Sequence, residues 1–176
     1  MDKIKVSLDG KGFRDKPTSE TIGKISSRIG KSIVELRPIS DDMKKFALVV
    51  GRAGCTFCPA TFKDGKRNKD HFEQQQMFAL DFDNKDPGRR VSLEEVKARA
   101  RKYDLPLLFA YDTFSSTDHN KFRVVFLNDV AIPYRKLAEA MQLALGEIFP
   151  EADPTCMGRG MMRCSSYSEH HKRSLN

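Results

Sequence analysis

The sequence contains no run approaching the ~20 apolar residues that a membrane span needs. Its start, Met1 to Gly10, lacks the apolar stretch of a secretory signal. Cysteine is scarce, with four in 176 residues. That is too sparse for a secreted disulfide scaffold, and the chain is long enough to build a core without bridges. Neither an internal repeat nor a low-complexity run is present. These absences point to one ordinary domain, cytoplasmic, with reduced thiols.

Basic charge is in surplus. Lys and Arg number 31 against 24 Asp and Glu, a formal net charge of +7. Such a balance suits a polyanionic partner, nucleic acid or nucleotide.

Residues 1–50 read as a small N-terminal α/β layer. Ile4 to Leu8 alternates like a short strand. Ile22, Ile25 and Ile29 recur at helical spacing within 18–29. Asp41 and Asp42 open another short helix that Gly51 stops. Residues 54–70 read as a basic loop. Lys63, Lys66, Arg67 and Lys69 could track a nucleic-acid backbone there, although a solvated loop is the simpler reading.

From residue 77 the pattern sharpens. Met77 to Leu80 is an apolar strand that ends in Asp81-Phe82-Asp83. Ser92 and Glu95 form a capping box for a helix bearing Leu93, Val96, Ala100 and Tyr103. Residues 107–111 and 122–127 read as strands around a polar loop, 113–120. Phe122, Val124 and Phe126 share one face of the second strand, with Arg123 on the other. Pro133 precedes a helix striped with Leu137, Met141, Leu145 and Ile148. Residues 161–165 read as a last strand. The expectation is α+β: a ferredoxin-like or RRM-like βαββαβ core over 51–167, an antiparallel sheet with helices on one face and the other free, and a tail at 168–176.

Asp81 and Asp83 lie two apart, so both carboxylates project from one face of the strand. Held that close they repel unless a cation neutralises them. Hard oxygen ligands suit Mg²⁺ or Mn²⁺, and paired ions serve phosphoryl transfer. Without a metal, the pair is an acidic strand end in solvent. The loop Thr113 to Arg123 offers hydroxyls on Ser115 and Ser116, an imidazole on His119, and cations on Lys121 and Arg123. Such groups can hold a triphosphate. Asp153 is a late acid, followed by Arg159 and Arg163. Cys55 and Cys58 have half-site zinc spacing, but no second CxxC follows, and packing is the better reading.

Together these elements resemble the archaeo-eukaryotic primase superfamily, most closely the primase-polymerase domains of phages, plasmids and integrated elements. Leu80-Asp81-Phe82-Asp83 matches its apolar-D-x-D motif. Ser115 to His119 matches loosely its Ser-x-His motif; Thr117 stands where histidine would, so His119 or Arg123 takes that part. Asp153 matches its late acid. The resemblance covers roughly residues 50–165. It implies template-directed nucleotidyl transfer, with Asp81, Asp83 and Asp153 as catalytic metal ligands. Ser115, Ser116, His119, Lys121, Arg123 and Arg163 would hold the triphosphate. It further implies a single-stranded DNA template, nucleoside triphosphates, Mg²⁺ or Mn²⁺, a neighbouring helicase or replication region, and a bacterial or phage-infected cell. By the same resemblance the stop soon after Tyr167 suggests a catalytic fragment.

Two other readings compete. A non-catalytic single-stranded nucleic-acid-binding module would use Phe82 and Phe122 on an RRM-like sheet. A replication-initiator nuclease would need a His-x-His pair, whereas the adjacent histidines are His170 and His171 in the tail.

Overall fold

The structure is a computed structural model, and it describes residues 3–38 and 41–156. The chain runs β1 (Ile4–Asp9), α1 (Ser19–Ile29), β2 (Ile33–Leu36), α2 (Asp41–Gly51), β3 (Thr56–Cys58), β4 (Ala60–Phe62), β5 (Phe72–Asp83), α3 (Leu93–Lys102), β6 (Leu107–Asp112), β7 (Lys121–Ile132) and α4 (Arg135–Ile148). It is α+β, as its residue pattern predicts. Two antiparallel sheets form, ordered β2-β1-β3 and β4-β5-β7-β6.

Local chemistry explains the helix starts. Thr18 accepts from the Thr21 amide ahead of α1. At α3 the Glu95 carboxylate accepts from the Ser92 amide at 2.7 Å, and Ser92 Oγ accepts from the Glu95 amide at 3.2 Å. The capping box therefore closes in both directions. In α4 the buried face is Ala138, Gln142 and Leu145, with Met141 and Ile148 packed beside it. Leu137, expected in that stripe, lies about half exposed.

Strand β5 begins at Phe72, five residues before its apolar run. Gln74, Gln75 and Gln76 hide that half in the sequence because they are polar, yet all three are buried. Hydrogen bonds from their amide nitrogens offset part of that burial, while Oε1 of Gln74 and of Gln75 is buried with no partner among the described residues. Gln74 Nε2 donates to the Lys5 carbonyl and Thr61 Oγ1, and Gln76 Nε2 donates to the carbonyls of Asn128 and Asp129. β2, β3 and β4 are also additions to the sequence reading. β4 and β3 lie in the stretch read as loop; β3 pairs with β1, so the first sheet continues past residue 50.

The alternation along β5 and β7 divides the molecule. Phe78, Leu80, Phe82, Phe122, Val124 and Phe126 face α3 and α4 in one core. Phe82 and Phe122 stack at 5.0 Å, worth about 0.5–1.5 kcal/mol beyond area burial. Met77 and Val125 face the opposite way, into a second core with Ile4, Val6, Phe46 and Phe57. The expectation of a free sheet face is thus corrected. The N-terminal layer covers that face, because its own sheet has an apolar side that must be buried.

The outer edge of β5 is filled piecemeal. β4 pairs with its first half. Gln142 Nε2 donates to the Ala79 carbonyl at 3.0 Å, and the Asp153 amide donates to the Asp81 carbonyl at 2.7 Å. Ala152 forms a single antiparallel bridge to Phe82. The expected last strand, 161–165, lies outside the described residues.

Candidate functional site

The face shared by Met77 and Ala79 continues to Asp81 and Asp83. On β7 the partners in register are Val125, Arg123 and Lys121. Each aspartate therefore sits directly opposite a cation, the favourable cross-strand arrangement. Arg123 Nε and Nη2 donate to the two oxygens of Asp81, a bidentate fork. Arg123 Nη1 donates to the Tyr111 hydroxyl at 3.2 Å. Lys121 Nζ lies 3.1 Å from Asp83, and Lys85 Nζ lies 3.9 Å from the same oxygen.

Burial differs across the cluster. The side chains of Arg123 and Asp81 are 7% and 16% exposed, whereas Asp83 is 41% exposed. Burial works against the Arg123 charge, but attraction to Asp81 outweighs it, so the guanidinium holds its proton more tightly than a free arginine does. Contact with Lys121 loosens the proton on Lys85, and Lys16 adds to the repulsion. Burial pushes the nearby Cys156 thiol up, which leaves it un-ionised and a poor nucleophile.

These side chains surround a small cavity walled also by Lys16, Thr113, Phe114, Ser115 and Asp153. Its volume is about 40 Å³, room for about a water rather than for a nucleotide. Asp153 arrives through the bridge at Ala152, and its Oδ1 accepts from the Thr155 amide at 2.8 Å.

As arranged, the donors do not fit a divalent cation. Both oxygens of Asp81 are taken by Arg123, and Lys121 faces Asp83. Among the described residues, no group of three or more His, Cys, Asp or Glu is placed to hold a metal. The repulsion between the two aspartates is relieved by protein cations.

The other sequence candidates separate. Ser115 joins the cavity. Ser116 instead closes the loop, its Oγ accepting from the Lys121 amide at 3.1 Å. His119 is not in the cavity. It is exposed and its Nδ1 lies 2.6 Å from Asp112, in a separate groove bounded by Arg90 and Ser92. Asp118 and His119 both adopt positive φ, which turns the imidazole away from Asp81. Lys63, Lys66 and Lys69 are exposed, while Arg67 turns inward and donates to Ser26 Oγ at 3.1 Å. Arg67 is thus partly engaged in packing against α1. Arg163, Arg159, His170 and His171 lie outside the described residues. Cys55 and Cys58 are buried, and burial pushes both thiols up.

Phe82 and Phe122, the aromatics expected to carry an RRM-type platform, are sealed in the helix-side core. The sequence reading missed Lys16, Lys85 and Tyr111. Tyr111 was legible only as a strand residue two positions from Phe109; its place opposite Arg123 comes from strand register. Lys16 had no signal, being brought in by an irregular segment between β1 and α1.

Comparison with known proteins found no matching family model, no matching curated protein and no matching solved structure.

Proposed function

We propose that this chain transfers nucleotides along a single-stranded template, and that the charge cluster at the ends of β5 and β7 handles the triphosphate. One observation carries the reading. Four cations, Lys16, Lys85, Lys121 and Arg123, surround three carboxylates, Asp81, Asp83 and Asp153. A local surplus of positive charge beside hydroxyls suits an anion with many oxygens. The resemblance of the D-x-D strand and the T-F-S-S loop to primase-polymerases selects a nucleoside triphosphate among such anions.

In this reading the phosphates draw Arg123 and Lys121 outward onto their own oxygens. The planar fork of Arg123 suits two phosphate oxygens at once. Ser115 donates a further hydrogen bond. These groups then stabilise the charge that develops on the departing pyrophosphate. Release of Arg123 uncovers the Asp81 carboxylate. Asp83, half exposed beside the cavity, accepts a hydrogen bond from the attacking strand hydroxyl. Mg²⁺ or Mn²⁺, the DNA template and a neighbouring helicase region enter from the resemblance alone.

The test is incorporation of labelled nucleotides on primed and unprimed single strands, with Mn²⁺ and then Mg²⁺. Asp83→Asn is the control variant, because its half-exposed side chain leaves the fold intact. Product that depends on the added ion and falls at least about 100-fold in D83N supports the reading. Absence of product from both proteins, with both still binding strands, overturns it in favour of the non-catalytic module.

A further inference from the structure

A second cavity opens at the seam of the two layers. It holds about 470 Å³, within the ~300–1,000 Å³ of ligand pockets. Its walls combine three rings, Phe13, Tyr111 and Phe114, with two guanidinium groups, Arg14 and Arg52. Both arginines are exposed, and neither forms an ion pair among the described residues. Phe13 and Phe114 are partly exposed, and Lys11 Nζ lies over the Phe13 ring, 5.6 Å from its centroid, adding a further cation at the rim.

The cavity's shape is built into the backbone. Gly54 has φ of 68°, and a Cβ there would lie 2.1 Å from the Phe13 carbonyl oxygen and 2.8 Å from Phe114 Cζ. At Gly51 a Cβ would lie 3.2 Å from Tyr111 Cβ. Glycine lets the 51–54 turn come up against the rings. Tyr111 is fixed further by stacking on Phe109, with centroids 6.0 Å apart.

Two links join this cavity to the charge cluster. Thr113 and Phe114 wall both. Arg14 lines the larger cavity, and Lys16, two residues on, lines the smaller. Cations at Arg52, Arg14 and Lys16 therefore lead toward Lys121.

We infer that this cavity holds an unpaired segment of single-stranded nucleic acid. The bases stack on Phe13 and Phe114, and Arg14 and Arg52 contact the phosphates. Rings and cations in one concavity are the combination that single strands use. A duplex presents no open base face to rings recessed in a cavity, so the site discriminates against paired strands. The assignment rests on the nucleotidyl-transfer reading only for the strand's role as template.

The experiment is fluorescence anisotropy of a labelled oligothymidylate of about 12 nucleotides, titrated with the full chain without triphosphate or added metal, across salt concentrations. Three proteins are compared: wild type, the double variant R14A with R52A, and F114L. The arginines are exposed, and leucine keeps apolar bulk at position 114, so circular dichroism should be unchanged in all three. Loss of two phosphate contacts should flatten the salt slope by about 1.4 for a single strand. Loss of one stacking ring should weaken binding roughly 5- to 150-fold. A duplex competitor should displace the oligomer poorly. Equal affinity and slope in wild type and R14A/R52A would overturn the inference even if nucleotides are incorporated. Loss of binding in the variants, with no incorporation by wild type, would keep the strand site and remove the nucleotidyl-transfer reading.

Discussion

Two of the bidentate arginine–carboxylate pairs in this molecule, Arg99 with Glu151 and Arg123 with Asp81, differ in what surrounds them. Arg99 holds Glu151 through bonds of 2.7 and 2.9 Å and also donates to the Ile148 carbonyl. Its guanidinium lies over the Phe149 ring at 5.6 Å. Both terminal nitrogens of that guanidinium are occupied by structure, and the pair locks the end of α3 to the segment that delivers Asp153. Arg123 holds Asp81 with the same fork, yet Lys121 and Lys16 line the same cavity beside Ser115, and Lys85 approaches Asp83 at 3.9 Å. The first pair closes a charge account locally. The second sits where four cations meet three carboxylates, a local surplus of positive charge that makes its neighbourhood receptive to an anion. A strong ion pair therefore marks a site only when its surroundings leave charge unmatched.

The largest test of this contrast is removal of one partner of the buried pair. Arg123→Gln removes the guanidinium fork from the buried Asp81 carboxylate, and about 3–5 kcal/mol of stability should be lost in urea unfolding. The double variant D81N/R123Q should recover part of it. A loss below about 1 kcal/mol for R123Q would mean that the pair is wetter than its burial indicates.

Next in size is the seam itself. Gly54→Ala forces a side chain into positive φ and against Phe13, and should cost about 2–4 kcal/mol. Strand binding should weaken in parallel, because the same glycine shapes the aromatic cavity. An alanine variant as stable as wild type would show that the turn can move away from the rings.

The structural pair responds to acid. The Arg99 hydrogen bond holds the Glu151 carboxyl below the usual carboxylate range. Its contribution is complete above the unfolded value of about 4.3 and is lost as pH falls through the depressed folded value. Glu151→Gln should lose about 1–2 kcal/mol at neutral pH. The gap from wild type should narrow below about pH 4. A gap that stays constant from pH 7 to pH 3 would remove the charge from that account.

The smallest effect has the opposite sign. Lys85→Gln relieves repulsion from Lys121 and Lys16, so stability should stay within about 0.5 kcal/mol of wild type or rise slightly. Binding of a triphosphate, followed by calorimetry, should nonetheless weaken. Unchanged triphosphate affinity would detach Lys85 from the cluster's function.

Much of this was legible from local pattern. The strand ending at Asp83, the capping box at Ser92 and Glu95, and the split of Phe122 from Arg123 all follow from short-range periodicity. β5's first half was not legible, because Gln74 to Gln76 look solvated until distant carbonyls are seen to receive them. His119 illustrates the same limit at the site. Its spacing suggested a triphosphate ligand, but two consecutive positive φ values swing it to Asp112.

What the sequence by itself determined is which groups share a face. Period-two alternation puts Asp81 with Asp83 and Lys121 with Arg123, and apolar stripes require cover for each strand face. Only the tertiary structure decided what those groups meet. Strand register set Arg123 opposite Asp81, so a protein cation stands where a metal ion was expected. Packing of the N-terminal sheet covered the face expected to be free and left a ringed cavity at its margin. Register and layer packing depend on contacts between residues far apart in the chain, and local pattern carries no record of which distant partner will arrive.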